Sequence, residues 1–202
     1  MNKKELKKAF AEGLITKEQF QEELFKLETT VKVKKRKKLP VAIEVEEFSK
    51  LLKATKYDHW KVAFLFGFAG GLRISEVVKL QKKDINFNKG QIFIEDAKGG
   101  KDRIVPIPKG LMPKHLKHIP MKCGARALQS AFTKTAKLAG LMKDKPGLHF
   151  HSLRHGFASK CAAGGMPLPY LRDLLGHENI STTNIYLRMN PKDAIKSYEE
   201  YF

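Results

Sequence analysis

Two arginine-bearing segments, Gly71-Leu72-Arg73-Ile74-Ser75-Glu76 and His151-Ser152-Leu153-Arg154-His155, are followed by Leu175-Gly176-His177 and by Thr182-Thr183 with Tyr186. Phosphate chemistry is within reach of such residues. A pentacoordinate phosphorus carries extra negative charge on its non-bridging oxygens. Fixed bidentate cations suit that charge, and arginine presents a fork where lysine presents a point. Two arginines are the smallest sensible clamp. The exchange also needs an in-line nucleophile and a proton for the departing alkoxide, and a tyrosine and a lysine can fill those roles. Each segment alone has a plainer reading. Arg73 and Glu76 stand one helical turn apart, as in a capped helix with a surface ion pair, and His151 and Arg154 share a face at i, i+3.

The elements that must position these residues can be read from apolar spacing. Helices are expected over 3–10 and 17–27, the second opened by Thr16 and Gln19 in a capping-box pattern. Further helices are expected over 44–54, over 59–69 and, after the Gly70-Gly71 stop, over 73–80. Three β-type runs follow, over 85–87, 91–95 and 103–107, with turns at 88–90 and 98–101. Helices over 125–139, 152–163, 168–175, 181–187 and 192–201 complete the chain. Phe64, Phe66 and Phe68 fall in the most apolar helix and read as core rather than as a base-stacking platform.

Composition narrows the partner. The 202 residues hold 39 Lys and Arg against 21 Asp and Glu, a formal charge of +18, which favours a polyanion such as nucleic acid. Two distant cysteines, Cys123 and Cys161, offer neither a disulfide framework nor a zinc pair. No long apolar run and no leader-like N-terminus occur, so a cytoplasmic protein without a membrane partner is expected. The run Lys32, Lys34, Lys35, Arg36, Lys37, Lys38 has no apolar period and reads as a basic linker, which puts a domain boundary between 38 and 39.

Taken together, the segments resemble the tyrosine recombinase family, which includes phage integrases and the Xer recombinases. Gly71 to Glu76 is similar to its first arginine box and His151 to His155 to its second. Leu175 to His177 matches its Leu-Gly-His box, and Thr182 to Tyr186 its tyrosine box. His177 follows Arg154 by 23 residues and Tyr186 follows His177 by nine, intervals that fit the family. Lys98-Gly99-Gly100-Lys101-Asp102-Arg103 resembles its lysine-bearing β-hairpin turn. The likeness spans roughly 40–202.

That resemblance implies an α+β, mainly helical catalytic-domain fold over 39–202 with a small three-stranded antiparallel sheet, preceded by a short helical segment and basic linker over 1–38. It implies a site-specific recombinase or integrase that cleaves and rejoins DNA through a 3′-phosphotyrosyl link. Arg73 and Arg154 would clamp the phosphate, and Lys98, with Lys101 as rival, would protonate the leaving 5′ oxygen. His151 and His177 would assist at the phosphate, Glu76 would orient the site, and Tyr186 would attack. No metal, ATP or other cofactor is implied, and no phosphate loop of the Gly-x-x-x-x-Gly-Lys type occurs. Lys34, Lys35, Arg36, Lys37, Lys38, Lys101 and Arg103 are expected on DNA phosphates. Double-stranded DNA is the expected partner, with self-association into a tetramer upon it.

Other readings compete. His149, His151 and His155 could suggest a metal site, but no glutamate stands between the last two as in a zinc-protease helix. Isolated carboxylates at Asp84, Asp96 and Asp102 do not make a two-metal nuclease. The alternatives to recombination are a type IB topoisomerase-like relaxation activity and a non-catalytic DNA-binding remnant. Only residues 1–38 precede the part that resembles the catalytic domain, fewer than the family's usual N-terminal core-binding domain, as expected either of a fragment or of a short recombinase whose two helices and basic tether replace that domain.

Overall fold

A computed structural model describes residues 3–29, 40–97, 101–177, 180–183 and 185, in two compact units, Met1–Lys38 and Leu39–Phe202. The first unit pairs helix α1 (Lys3–Ala11) with helix α2 (Lys17–Thr29). Thr16 and Gln19 form the anticipated reciprocal cap, at 2.9 Å and 3.3 Å, and Phe10 stacks on Phe20 with ring centroids 4.7 Å apart.

The second unit opens with α3 (Val45–Ala54), α4 (Asp58–Ala69) and α5 (Ile74–Lys79). After a 3₁₀ turn at Lys82–Asp84 come β1 (Ile85–Asn86), β2 (Gln91–Ala97) and β3 (Lys101–Pro106), joined in the order β1-β2-β3 with both pairings antiparallel. A second 3₁₀ stretch, Pro113–His118, leads to α6 (Ala125–Leu138), α7 (Leu141–Asp144), α8 (His151–Ala163), α9 (Leu168–Leu175) and α10 (Ile180–Thr183). The two 3₁₀ turns and α7 are too short to show a period, and the sequence does not announce them.

The core explains why α4 and α8 sit at the centre. Phe64 and Phe66 of α4 are fully buried, as the sequence suggests, and Phe64 meets Phe132 of α6 edge-on at 5.6 Å and Phe150 at 6.2 Å. Burying an aromatic of this size contributes roughly 2–3 kcal/mol, so this trio is a principal weld between α4, α6 and the start of α8. On α6, Leu128, Phe132, Thr135 and Ala136 form the buried stripe at i, i+4, i+7, i+8. The apolar far end of α8 packs on α9 through Phe157, Ala158, Leu171 and Leu175, a smaller cluster that fixes where α9 ends. Along β2 and β3, Ile92, Ile94, Arg103 and Val105 turn inward while Phe93 and Ile104 face out, the alternation expected of a half-buried sheet.

Candidate active site

Helix termini, not helix middles, hold the candidate site. Helix α4 ends at Gly70-Gly71, and the chain turns there with φ of +66° at Gly71. A Cβ on Gly71 would stand 2.6 Å from Cδ1 of Phe157, so glycine is required for both the turn and the close approach. The turn delivers Arg73 to the N-cap of α5. Glu76, three residues on, accepts the Arg73 backbone N–H at 2.7 Å through Oε2 and the Arg73 side chain at 2.9 Å through Oε1. The pair is not the surface ion pair that the spacing alone allows, since Glu76 is only 7% exposed.

Helix α9 ends in a Schellman arrangement. Gly176 adopts a left-handed φ of +62°, its N–H reaches the Asp173 carbonyl at 3.1 Å, and the His177 N–H reaches Arg172 at 3.1 Å. Three carbonyls at this negative helix end, those of Leu174, Leu175 and Gly176, each accept from a different arginine. Arg103 Nε donates to Leu174 at 2.8 Å, Arg154 donates to Leu175, and Arg73 donates to Gly176 at 2.9 Å. Guanidinium charge beside the exposed carbonyls of a helix C-terminus is favourable, and three elements far apart in sequence are thereby tied to one turn.

Arg154 is 3% exposed, and its burial is offset by its bonds to Leu175 and, at 2.8 Å, to the carbonyl of Gly71. The two arginines of the sequence boxes therefore bind successive carbonyls, with Arg154 also gripping the turn that presents Arg73. Glu76 is the counter-charge. Burial pushes its carboxyl up, but the hydrogen bonds and charge of Arg103, followed by the Arg73 backbone and side chain, outweigh this and hold it down at about 2. Three guanidinium groups against one carboxylate leave a net excess of two positive charges.

Three histidines near this charge, His177, His151 and His155, are pushed toward the neutral form. Burial first, then the charges of Arg154 and Arg73, bring His177 down to about 4, and its Nδ1 lies 3.1 Å from the hydroxyl of buried Thr183. Burial first, then Arg154, His149 and Arg73, also lower His151. His155 falls to about 4 through burial and then through His151 and His149. Neutral imidazoles can donate one hydrogen bond and accept another, so the site combines permanent cations with groups able to carry a proton. Beside Arg73 and Glu76 opens a cleft of about 460 Å³, also lined by Lys79, Lys83, Phe93 and Glu95; Arg154 does not form part of its wall.

The structure thus brings Arg73, Glu76, His151, Arg154 and His177 to one neighbourhood. Lys98 and Tyr186 lie outside the described residues, as do Lys34, Lys35, Arg36, Lys37 and Lys38; Lys101 is described only in its backbone within β3. Arg103 is corrected. Expected on DNA, it is 9% exposed, and its fork grips both oxygens of Glu76, at 2.9 Å and 2.7 Å. Its position explains this: Arg103 shares strand parity with buried Val105, so the strand carries it inward. Among the described residues, no group of three or more His, Cys, Asp or Glu side chains could hold a metal ion. Among the same residues, no helix is long and apolar enough to cross a membrane.

The architecture is that of tyrosine recombinase catalytic domains. A crystal structure of XerA recombinase superposes with a TM-score of 0.63 at 22% identity, covering 81% of this chain and 64% of that one. The XerH site-specific recombinase in a post-cleavage complex with its palindromic difH substrate gives 0.66 at 23% identity, covering 81% and 54%. The sequence model of the phage integrase family matches residues 41–193, and the chain belongs to that family. The tyrosine recombinase XerA of Pyrococcus horikoshii is 31% identical over 177 residues, covering 81% of this chain and 62% of that protein. XerD of Staphylococcus epidermidis is 28% identical over 188 residues, covering 82% and 63%. The chain thus spans a little under two thirds of the length of these relatives.

Proposed function

We propose that the domain cleaves and rejoins double-stranded DNA as a site-specific recombinase, through a 3′-phosphotyrosyl intermediate. The observation that carries this reading is the arginine-rich turn at the end of α9. Arg73 and Arg154 are fixed there beside two neutral histidines, with more positive charge than Glu76 cancels. Preorganised charge of this kind favours the phosphorane-like state over the ground state, because the cations need not reorganise when the extra charge develops. Two of the five Arg73 N–H donors go to Glu76 and Gly176, which leaves three for a phosphate oxygen.

In this reading Tyr186 attacks the phosphorus and its phenolic proton passes to a nearby base, with His151 a candidate. The bond to the 5′ oxygen breaks as Lys98 protonates it, and His177 donates to a non-bridging oxygen. Running the same steps backwards from another strand's 5′ hydroxyl rejoins the DNA, so the energy of the broken bond is kept in the phosphotyrosine. Lys34, Lys35, Arg36, Lys37, Lys38 and Lys101 would lie along DNA phosphates, and several copies would assemble on the DNA as a tetramer. XerH, whose structure holds a cleaved difH substrate, supports the reading by its likeness.

The test is incubation with nicked suicide duplexes selected from a random library by binding. The reading expects protein–DNA adducts that survive denaturation and recombinant joints between two duplexes. Plasmid relaxation with no recombinant joint would replace it with a topoisomerase-like activity, and binding without any adduct would replace it with a DNA-binding remnant.

A further inference from the structure

Arg103 lies outside the arginine boxes, yet all three nitrogens of its guanidinium are engaged at Glu76 and the end of α9. Its Nε holds the Leu174 carbonyl at 2.8 Å, and its two terminal nitrogens take Oε1 and Oε2 of Glu76. A Cβ on Gly176 would stand 3.2 Å from the Arg103 Cδ and 3.3 Å from one terminal nitrogen, so the glycine of the Leu-Gly-His box leaves room for this side chain. Arg103 therefore joins β3 to α5 and to the turn that carries His177.

Glu76 has two claimants. Oε1 is shared between Arg73 and Arg103, while Oε2 is shared between Arg103 and the Arg73 backbone. A carboxylate offers about four lone-pair sites, and these four bonds fill them. Without Arg103, the side of Glu76 that it occupies would turn to the nearest remaining cation, Arg73. A bidentate pair would then form and draw the Arg73 fork from the Gly176 carbonyl.

We propose that Arg103 is a positioning residue for the phosphate site: by sharing Glu76 with Arg73 it keeps the carboxylate from taking both terminal nitrogens of Arg73, leaving the Arg73 fork aligned and available to the phosphate. It rests on the recombinase reading above. Arg103 touches no DNA in this account; it acts through Glu76 and through the end of α9. The charge ledger has a consequence that a purely structural strut lacks. Removing Arg103 is harmful only while Glu76 remains to capture Arg73, so removing both should restore much of what removing Arg103 alone takes away.

The experiment compares the wild type with R103K, R103M, E76Q and the double variant E76Q/R103M in single-turnover cleavage of a nicked duplex. Rate at saturating DNA and half-saturating DNA concentration are read separately, with thermal melting beside them. R103M should cleave about tenfold or more slowly while its half-saturating concentration moves by less than about threefold. R103K should fall between, and E76Q/R103M should cleave faster than R103M. A wild-type rate in R103M overturns the proposal, as does a double variant no faster than R103M. A loss of about one unit in the salt slope of binding also overturns it, because Arg103 would then be a phosphate contact.

A readout free of cleavage separates this from failure of the recombinase reading. The Arg73 Nε–Hε NMR resonance should shift when inorganic phosphate is added to the wild type, and not in R103M. An equal shift in both refutes the role of Arg103 even if no DNA is ever cut; a shift only in the wild type sustains it even if the DNA reading fails.

Discussion

Replacing Glu76 with glutamine should cost the fold about 3 kcal/mol at pH 7. The carboxyl is held at about 2 against an ordinary 4.5, and each unit of that difference corresponds to about 1.4 kcal/mol. The figure agrees with the roughly 3–5 kcal/mol seen when one partner of a buried ion pair is removed, here leaving Arg103 at 9% exposure with its charge unanswered. Because the folded value is depressed, this stability is fully present above about pH 4.5 and is lost as the pH falls toward 2. The gap between wild type and E76Q should therefore be constant from pH 7 to 5.5 and smaller by about 1 kcal/mol at pH 4. Taking the difference cancels the contributions of His155 and His177, whose shifts owe nothing to Glu76. Urea unfolding followed by far-ultraviolet circular dichroism at those three pH values measures it. A penalty below about 1 kcal/mol, unchanged between pH 7 and 4, would refute the reasoning about the Glu76 carboxylate.

Other expectations follow from the same geometry. Gly176→Ala should lose about 1–2 kcal/mol in urea unfolding, because φ is +62° and the new methyl meets Arg103; loss below about 0.3 kcal/mol would show that the turn relaxes. Arg154→Lys should melt only modestly lower, while cleavage falls by about a hundredfold or more, since a compact ammonium cannot reproduce the planar fork whose separate nitrogens take Gly71 and Leu175. His177 and His155, at about 4 in the folded protein against about 6.5 when unfolded, bind fewer protons folded than unfolded. Stability should thus be full above about pH 6.5 and decline as the pH falls toward 4, and a flat profile there would contradict their burial as neutral groups. Neutralising Lys34, Lys35, Lys37 and Lys38 should lower the salt slope of DNA binding by about 3–4, roughly 0.9 per phosphate contact, read by fluorescence anisotropy across a salt series.

The sequence carried most of this fold because its long helices have clean periods. Leu128, Phe132 and Ala136 announce α6, and the glycine pair at 70–71 announces the end of α4. Arg73, Glu76, His151, Arg154 and His177 are grouped by the resemblance of their segments to the family's boxes, not by any one segment alone. What spacing could not show is which face of a strand a charged residue takes. Ile104 is 53% exposed while its neighbour Arg103 is buried, the reverse of what hydrophobicity suggests, so the parity of β3 reads wrongly until its partner strand is in place. The arginine bonds to the carbonyls of Leu174, Leu175 and Gly176 were equally hidden, because backbone acceptors leave no mark in side-chain identity. Thr183 belongs to the segment that resembles the tyrosine box, but its burial and its hydroxyl's place 3.1 Å from His177 have no sign in the sequence.

The central claim is that this site makes a covalent phosphotyrosine, and mass spectrometry of the nuclease-trimmed adduct tests it most directly. The account predicts a nucleotide 3′-phosphate on the peptide containing Tyr186, a 5′ hydroxyl on the released strand, and no adduct in Tyr186→Phe. A nucleotide on any other residue, a 5′-phosphate on the released strand, or an adduct that persists in Tyr186→Phe would contradict it.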